Sequence, residues 1–159
     1  MAAVWLACWR PSVTAKPTVQ VLDDALVRWL SGRHQAVLVT LRADGSPQSS
    51  NVAVAFRGPT AHVSVTATRA KTRNLRRDPR AVLHVLGGSF GQYAALAVRA
   101  HLGPASTRPS DAAGQDLLRL YETITGQPHP DPEEFYHAMV AERRLLLTLT
   151  PESATTWGV

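Results

Sequence analysis

The chain has 159 residues, 45% of them apolar, which fits one domain with a sizeable core or one protomer of a dimer, without linkers. Seventeen Lys plus Arg stand against twelve Asp plus Glu, but residues 69 to 80 hold six of the cations and one acid, Asp78. The remainder is formally neutral, so the basic excess marks a local site and argues against a polyanion-coating surface. A single cysteine, Cys8, excludes an internal disulfide and reads as an incidental small apolar residue. No apolar run approaches the roughly 18 to 20 residues of a membrane span.

In chain order, residues 1–17 are expected as a flexible N-terminal arm. Their apolar run has no basic stretch before it and is cut by Arg10 and Pro11, unlike an export signal, and the expected location is the cytoplasm. Residues 18–159 are expected to form the folded domain. Leu22, Ala25, Leu26, Trp29 and Leu30 recur at helical spacing across residues 19–31, with Thr18 as N-cap and Gly32 as stop. QAVLVTL (35–41), SSNVAVAF (49–56) and AHVSVTA (61–67) are β-branched runs separated by turn-rich segments, which predicts a meander of antiparallel strands. AVLHVL (81–86), YAALAVRAHL (93–102) and RLLLTLT (144–150) bring the count to six, enough for a small barrel or a sandwich.

Between the last two strands lie two helices with legible ends. Ser110 or Asp111 opens the first and Gly126 closes it, while Asp131, Pro132 and Glu134 give the second an N-cap, an N1 proline and a capping box. This pair reads as scaffold. Strands grouped together with helices set apart from them make the class α+β.

The basic stretch RAKTRNLRRDPRA predicts one short helix, residues 70 to 77, because Pro79 drives Asp78 out of the helical region. Arg76 and Arg77 suit the negative end of that helix without any ligand. Arg69, Lys71 and Arg73 crowd its positive end and carry the wrong sign for it, each at a cost of a few tenths of a kcal/mol. A bound phosphate would reverse that balance, with the cations, the Thr72 hydroxyl and backbone donors converging on its oxygens.

LVTLRADGSPQSSNV, RAKTRNLRRDPRA and ERRLLLTLTP together resemble the flavin and deazaflavin split-barrel superfamily, in its pyridoxamine-phosphate-oxidase-like, F420-dependent branch, across residues 19 to 158. The resemblance implies a six-stranded antiparallel split β-barrel with flanking helices that forms a homodimer, its cofactor lying in a groove between protomers. It implies that Arg69 and Lys71 contact the cofactor's phosphate and ring, with Thr72 and Arg73 at the neighbouring helix start. Ser64 then faces the ring and Asn51 lines the same groove. Independently, Ala61, Val63 and Val65 alternate with His62, Ser64 and Thr66, which gives that strand one polar face. Where relatives often carry a Trp before the fifth strand this chain has GGSFGQY, so Phe90 and Tyr93 are candidates to flank the ring, together with Trp157.

Arg69 and Lys71 do not discriminate coenzyme F420 from flavin mononucleotide (FMN). F420 adds an oligoglutamate tail, which would engage Arg73, Arg76, Arg77, Arg80 or the basic N-terminal arm, and the resemblance points the same way. The expected activity is hydride transfer from reduced F420 to a small conjugated or quinone-like acceptor. FMN-dependent redox chemistry and a non-catalytic cofactor-binding protein are the alternatives. No catalytic side chain is assigned: Tyr93, His62 and bound water are open as proton donors. The six histidines lack ligand spacing, so no metal is expected. Neither is a nucleic-acid partner, because the basic helix has no interleaved aromatics.

Overall fold

The computed structural model describes residues 22–159. The expected N-terminal arm, Cys8 and the Thr18 cap lie outside the described residues. Helix α1 spans Asp24–Ser31 and opens at Asp23, whose carboxylate accepts the Leu26 N–H at 2.8 Å. The helix therefore starts later than its apolar spacing suggests, because Asp23 supplies the cap and Asp24 suits the positive end.

Seven strands follow, β1 (Gln35–Leu41), β2 (Pro47–Ala53), β3 (Ala55–Arg57), β4 (Thr60–Thr66), β5 (Arg80–Leu86), β6 (Tyr93–Ala105) and β7 (Arg144–Trp157). Helix α2 (Ala70–Arg77) sits between β4 and β5, and α3 (Ala112–Thr125) and α4 (Pro132–Ala141) between β6 and β7. The expected second strand is divided in two at Val54. All pairings are antiparallel and the order is β2-β1-β5-β6-β7-β4-β3. A simple meander is thus corrected: β1 turns to β5, and β4 pairs with β7, about eighty positions away in the chain.

Val54 explains the split. It is fully buried, and His34 holds it twice: the Val54 N–H donates to the His34 carbonyl at 3.1 Å, and His34 Nδ1 lies 3.0 Å from the Val54 carbonyl. A carbonyl only accepts, so Nδ1 carries the proton. Since β2 and β3 stand at opposite ends of the strand order but are one residue apart in the chain, the sheet curls until its ends meet at Val54. That is a split barrel.

Its interior is filled by alternate strand residues. Leu38, Val63, Leu83, Leu96, Leu147 and Leu149 are at most 1% exposed. The opposite face of β1, β5 and β6 carries an apolar patch between Arg80 and His84: Val39 stands opposite Val82, and Val82 opposite Ala97. Val82 and Leu86 remain 39% and 45% exposed there.

The ends of α3 and α4 are fixed by local chemistry. Asp111 caps α3: one carboxylate oxygen accepts from Gly114 N–H at 2.8 Å and the Ser106 hydroxyl at 3.0 Å, the other from Thr107 N–H at 2.8 Å and Arg108 N–H at 3.2 Å. Gly126 ends α3 at φ +69°, a left-handed conformation that glycine adopts without strain. Asp131 caps α4 by accepting Glu134 N–H at 2.9 Å. The reciprocal half of the capping box is not made by Glu134. The Asp131 N–H donates instead to His129 Nδ1 at 3.1 Å, because the His129 ring is anchored among Tyr121 and Phe135, with centroids 4.8 and 5.1 Å away.

The donors around Asp111, the Thr107 N–H foremost and then that of Gly114, hold its pKa at about 2, below an ordinary 3.8. A depressed carboxylate stabilises the fold above its unfolded pKa, and that contribution is lost as pH falls through the folded value. Asp111→Ala is expected to cost about 0.5–2 kcal/mol at neutral pH. In urea titrations the difference from the parent chain should shrink between about pH 4 and about pH 2.

Candidate functional site

Helix α2 opens at Arg69 with no side-chain cap and no acid in its first turn. Most of the cations that crowd this stretch have partners. Arg73 donates to the Thr68 carbonyl at 2.7 Å, Arg76 to the Ala67 carbonyl at 2.8 Å and Arg77 to the Leu41 carbonyl. Arg80 pairs with Asp78 at 2.7 Å and, through that hydrogen bond, holds the Asp78 pKa at about 2. Among the described residues, only Arg69 and Lys71 of the six have side chains without a hydrogen bond or ion pair.

The helix is locked to the barrel by two buried polar residues. The Thr72 hydroxyl donates to the Thr66 carbonyl at 2.8 Å. Asn74 Nδ2 donates to Thr40 Oγ1 at 3.0 Å and to Gln48 Oε1 at 3.3 Å, and Leu75 packs into the core beside it. Both residues are removed from water and hydrogen-bonded, as buried polar groups must be. Thr72, expected from the sequence at the cofactor, is placed facing the barrel with its hydroxyl proton engaged, and Arg73 is placed against the loop before the helix.

A cleft of about 540 Å³ lies between the barrel and the α3–α4 pair. Asn51 from β2, Ser64 from β4 and Lys71 from α2 meet in its wall, so the structure brings three of the six expected residues together. A fourth polar residue, Arg144 of β7, joins them. It stands opposite Thr66 in the β4–β7 register, donates to the Ser64 hydroxyl at 3.3 Å and pairs with Glu142 at 2.7 Å. Sequence reasoning missed it, since only the β4–β7 pairing places it diagonal to Ser64. Leu117, Leu120, Tyr121, Ile124, Phe135 and Met139 make the other wall. The α3–α4 pair, expected to be scaffold, thus also lines the cleft, and it supplies two aromatic rings.

One end of the cleft is therefore cationic and the other apolar, and no acidic residue lines it. Burial lowers the pKa of Lys71, and the charges of Arg69 and then Arg144 lower it further. His62 lies on the Ser64 face of β4 and its Nδ1 is buried without a partner. Burial and then the Arg57 charge push its pKa down, which keeps the ring neutral at pH 7. Tyr93 stacks on His84 at 4.9 Å, Phe90 is fully exposed and Trp157 is 61% exposed. None of these three candidate aromatics lines this cleft. Among the described residues there is no group of three or more His, Cys, Asp or Glu that could hold a metal, and no helix long and apolar enough to cross a membrane.

Residues 22–158 match the family model described as pyridoxamine 5'-phosphate oxidase. Over 130 residues the chain is 35% identical to an F420H(2)-dependent biliverdin reductase of Mycobacterium tuberculosis, a span covering 80% of this chain and 89% of that protein. A solved structure named F420 reductase superposes with a TM-score of 0.66 at 20% identity, covering 84% of this chain and 98% of that one. The haem-storage protein HutZ of Vibrio cholerae superposes with a TM-score of 0.63 at 14% identity, covering 86% and 95%. At these identities the two structures speak for the fold alone.

Removing the Asn74 side chain would leave Thr40 and Gln48 without their shared donor. Asn74→Ala is expected to lower stability by about 1–3 kcal/mol in urea unfolding. An unchanged midpoint would show that α2 is held without this network.

Proposed function

The chain belongs to the pyridoxamine 5'-phosphate oxidase family, and we propose that it is an F420-dependent reductase acting on a conjugated small molecule of the bilin or quinone type. The observation that carries this is the pair Arg69 and Lys71, two cations without partners at the positive end of a helix, beside a cleft with no acid in its lining. A phosphate-bearing ligand supplies the charge that this arrangement lacks.

The residues present fit F420. Its phosphate suits Arg69 and Lys71, and its flat ring suits a wall of Tyr121, Phe135 and aliphatic side chains, with Ser64 and Asn51 to orient it. Its tail carboxylates suit the rest of the basic helix. One carbonyl uses only part of a five-donor guanidinium, so Arg73, Arg76 and Arg77 keep N–H groups to offer. Arg80 is neutralised by Asp78 and contributes least. FMN satisfies the same phosphate site, and the name of the 35% identical relative favours F420 over it.

Reduced F420 supplies the hydride when bound, and the acceptor takes up one proton. Around that chemistry the chain's own groups do the positioning. Arg144, held by Glu142 and donating to Ser64, offers its remaining N–H groups to an acceptor atom that gains negative charge. The apolar helices exclude water from the reacting face. The choice of acceptor draws on the same relative's name, which specifies biliverdin.

The exposed apolar residues on the outer face of β1, β5 and β6, Val82 and Leu86 among them, support a homodimer built on that face. Val82→Arg is expected to give a monomer in sedimentation velocity while leaving the barrel folded by circular dichroism. A dimer that survives would place the interface elsewhere.

Fluorescence titration with F420 tests the cofactor. The double variant Arg69→Ala, Lys71→Ala is expected to weaken binding at least tenfold, about 1.4 kcal/mol, and unaltered affinity would end the proposal. Turnover is tested by following oxidation of reduced F420 without air, with biliverdin and quinones as acceptors. Tight binding with no acceleration by any of them would make the chain a carrier instead.

A further inference from the structure

The chain has fifteen arginines and two lysines, and Lys71 is the only lysine among the described residues. The difference is chemical. A guanidinium keeps its proton at any ordinary pH, while an amine can lose it and become a nucleophile. Arg69 lies two residues before Lys71, Arg144 shares the cleft and is itself paired with Glu142, no carboxylate is in the cleft lining, and the amine is half-buried without a hydrogen-bond acceptor. Desolvation together with neighbouring cations is how proteins activate a lysine. The lowered pKa of Lys71, caused by burial and then by Arg69 and Arg144, is in keeping with that geometry.

We propose that Lys71 is a modification site, whose amine takes an acyl group from small acyl phosphates drawn to the cleft by Arg69 and Arg144. The neutral amine nitrogen attacks the carbonyl carbon. An N–C bond forms, the carbon–oxygen bond to phosphate breaks, and phosphate leaves with the electron pair and accepts the amine's proton. The products are an amide and inorganic phosphate, and no other reactant is required. The anion that the two guanidiniums attract is thus the leaving group, which places the carbonyl beside the amine.

The reaction does not depend on F420, so it stands or falls separately from the activity proposed above. Its consequence does rest on that reading. An acylated Lys71 has lost its charge, leaving Arg69 as the single unpaired cation of the basic helix and the cleft a poorer site for phosphate-bearing cofactors.

The test treats the full chain with acetyl phosphate at about pH 8 and follows acetylation at each amine by peptide mass spectrometry. N-α-acetyl-lysine methylamide in the same tube serves as the reference amine. Lys71 is expected to react at least about tenfold faster than the reference, to be slowed by excess inorganic phosphate, and to slow several-fold in Arg144→Gln. A rate no higher than the reference overturns the proposal. So does a fast rate that inorganic phosphate leaves unchanged, because the phosphate would then have no site. Phosphate competition is read on the unaltered chain, so the outcome holds even if the variant fails to fold.

Discussion

Two cations without partners at the positive end of a helix are electrostatically misplaced, and the fold holds them there. Arg73 and Arg76 bind carbonyls of the segment before the helix, Arg77 reaches back to the end of β1, and Asn74 is buried against Thr40 and Gln48. Most of the basic run is therefore fastening, which fixes Arg69 and Lys71 where a passing anion would find them. A more mobile helix could turn its cations toward water. This one is tied on both sides and does not relax that way.

The opposite wall is built by different means. Asp111 and Asp131 satisfy orphan N–H groups at the starts of α3 and α4, and the cluster of Tyr121, His129 and Phe135 packs the two helices against each other. The cleft thus has a charged side, Lys71 and Arg144, and a dry wall set by side-chain packing. Ligands with a flat apolar body and an anionic end match both at once. The chain belongs to the pyridoxamine 5'-phosphate oxidase family, and the superposed structures share its fold.

Features carried by neighbouring residues were legible in the sequence. Pro79 set the end of α2, Gly126 the end of α3, and the alternation in β4 gave its polar face. The motif pointed to a split barrel. What local pattern could not supply was long-range pairing. Nothing near Ser64 indicates that Arg144 will lie diagonal to it, nor that β4 will choose β7 over β5. Val54 reads as one more residue in a β-branched run, and only its burial and its bonds to His34 reveal the break. Helix position alone grouped Arg73 with Arg69 and Lys71. Carbonyl partners in the fold divide them into fasteners and free charges.

The closure at Val54 carries a thermodynamic corollary. Asn51, Val52 and Ala53 belong to one border of the sheet, whereas Ser64 belongs to β4, next to the other border, and a molecule in the cleft would touch both. Occupancy would staple the seam of the barrel from outside, adding its own free energy to the cohesion of strands that the chain joins through a single residue. Saturation with ligand and resistance to heat would then rise together.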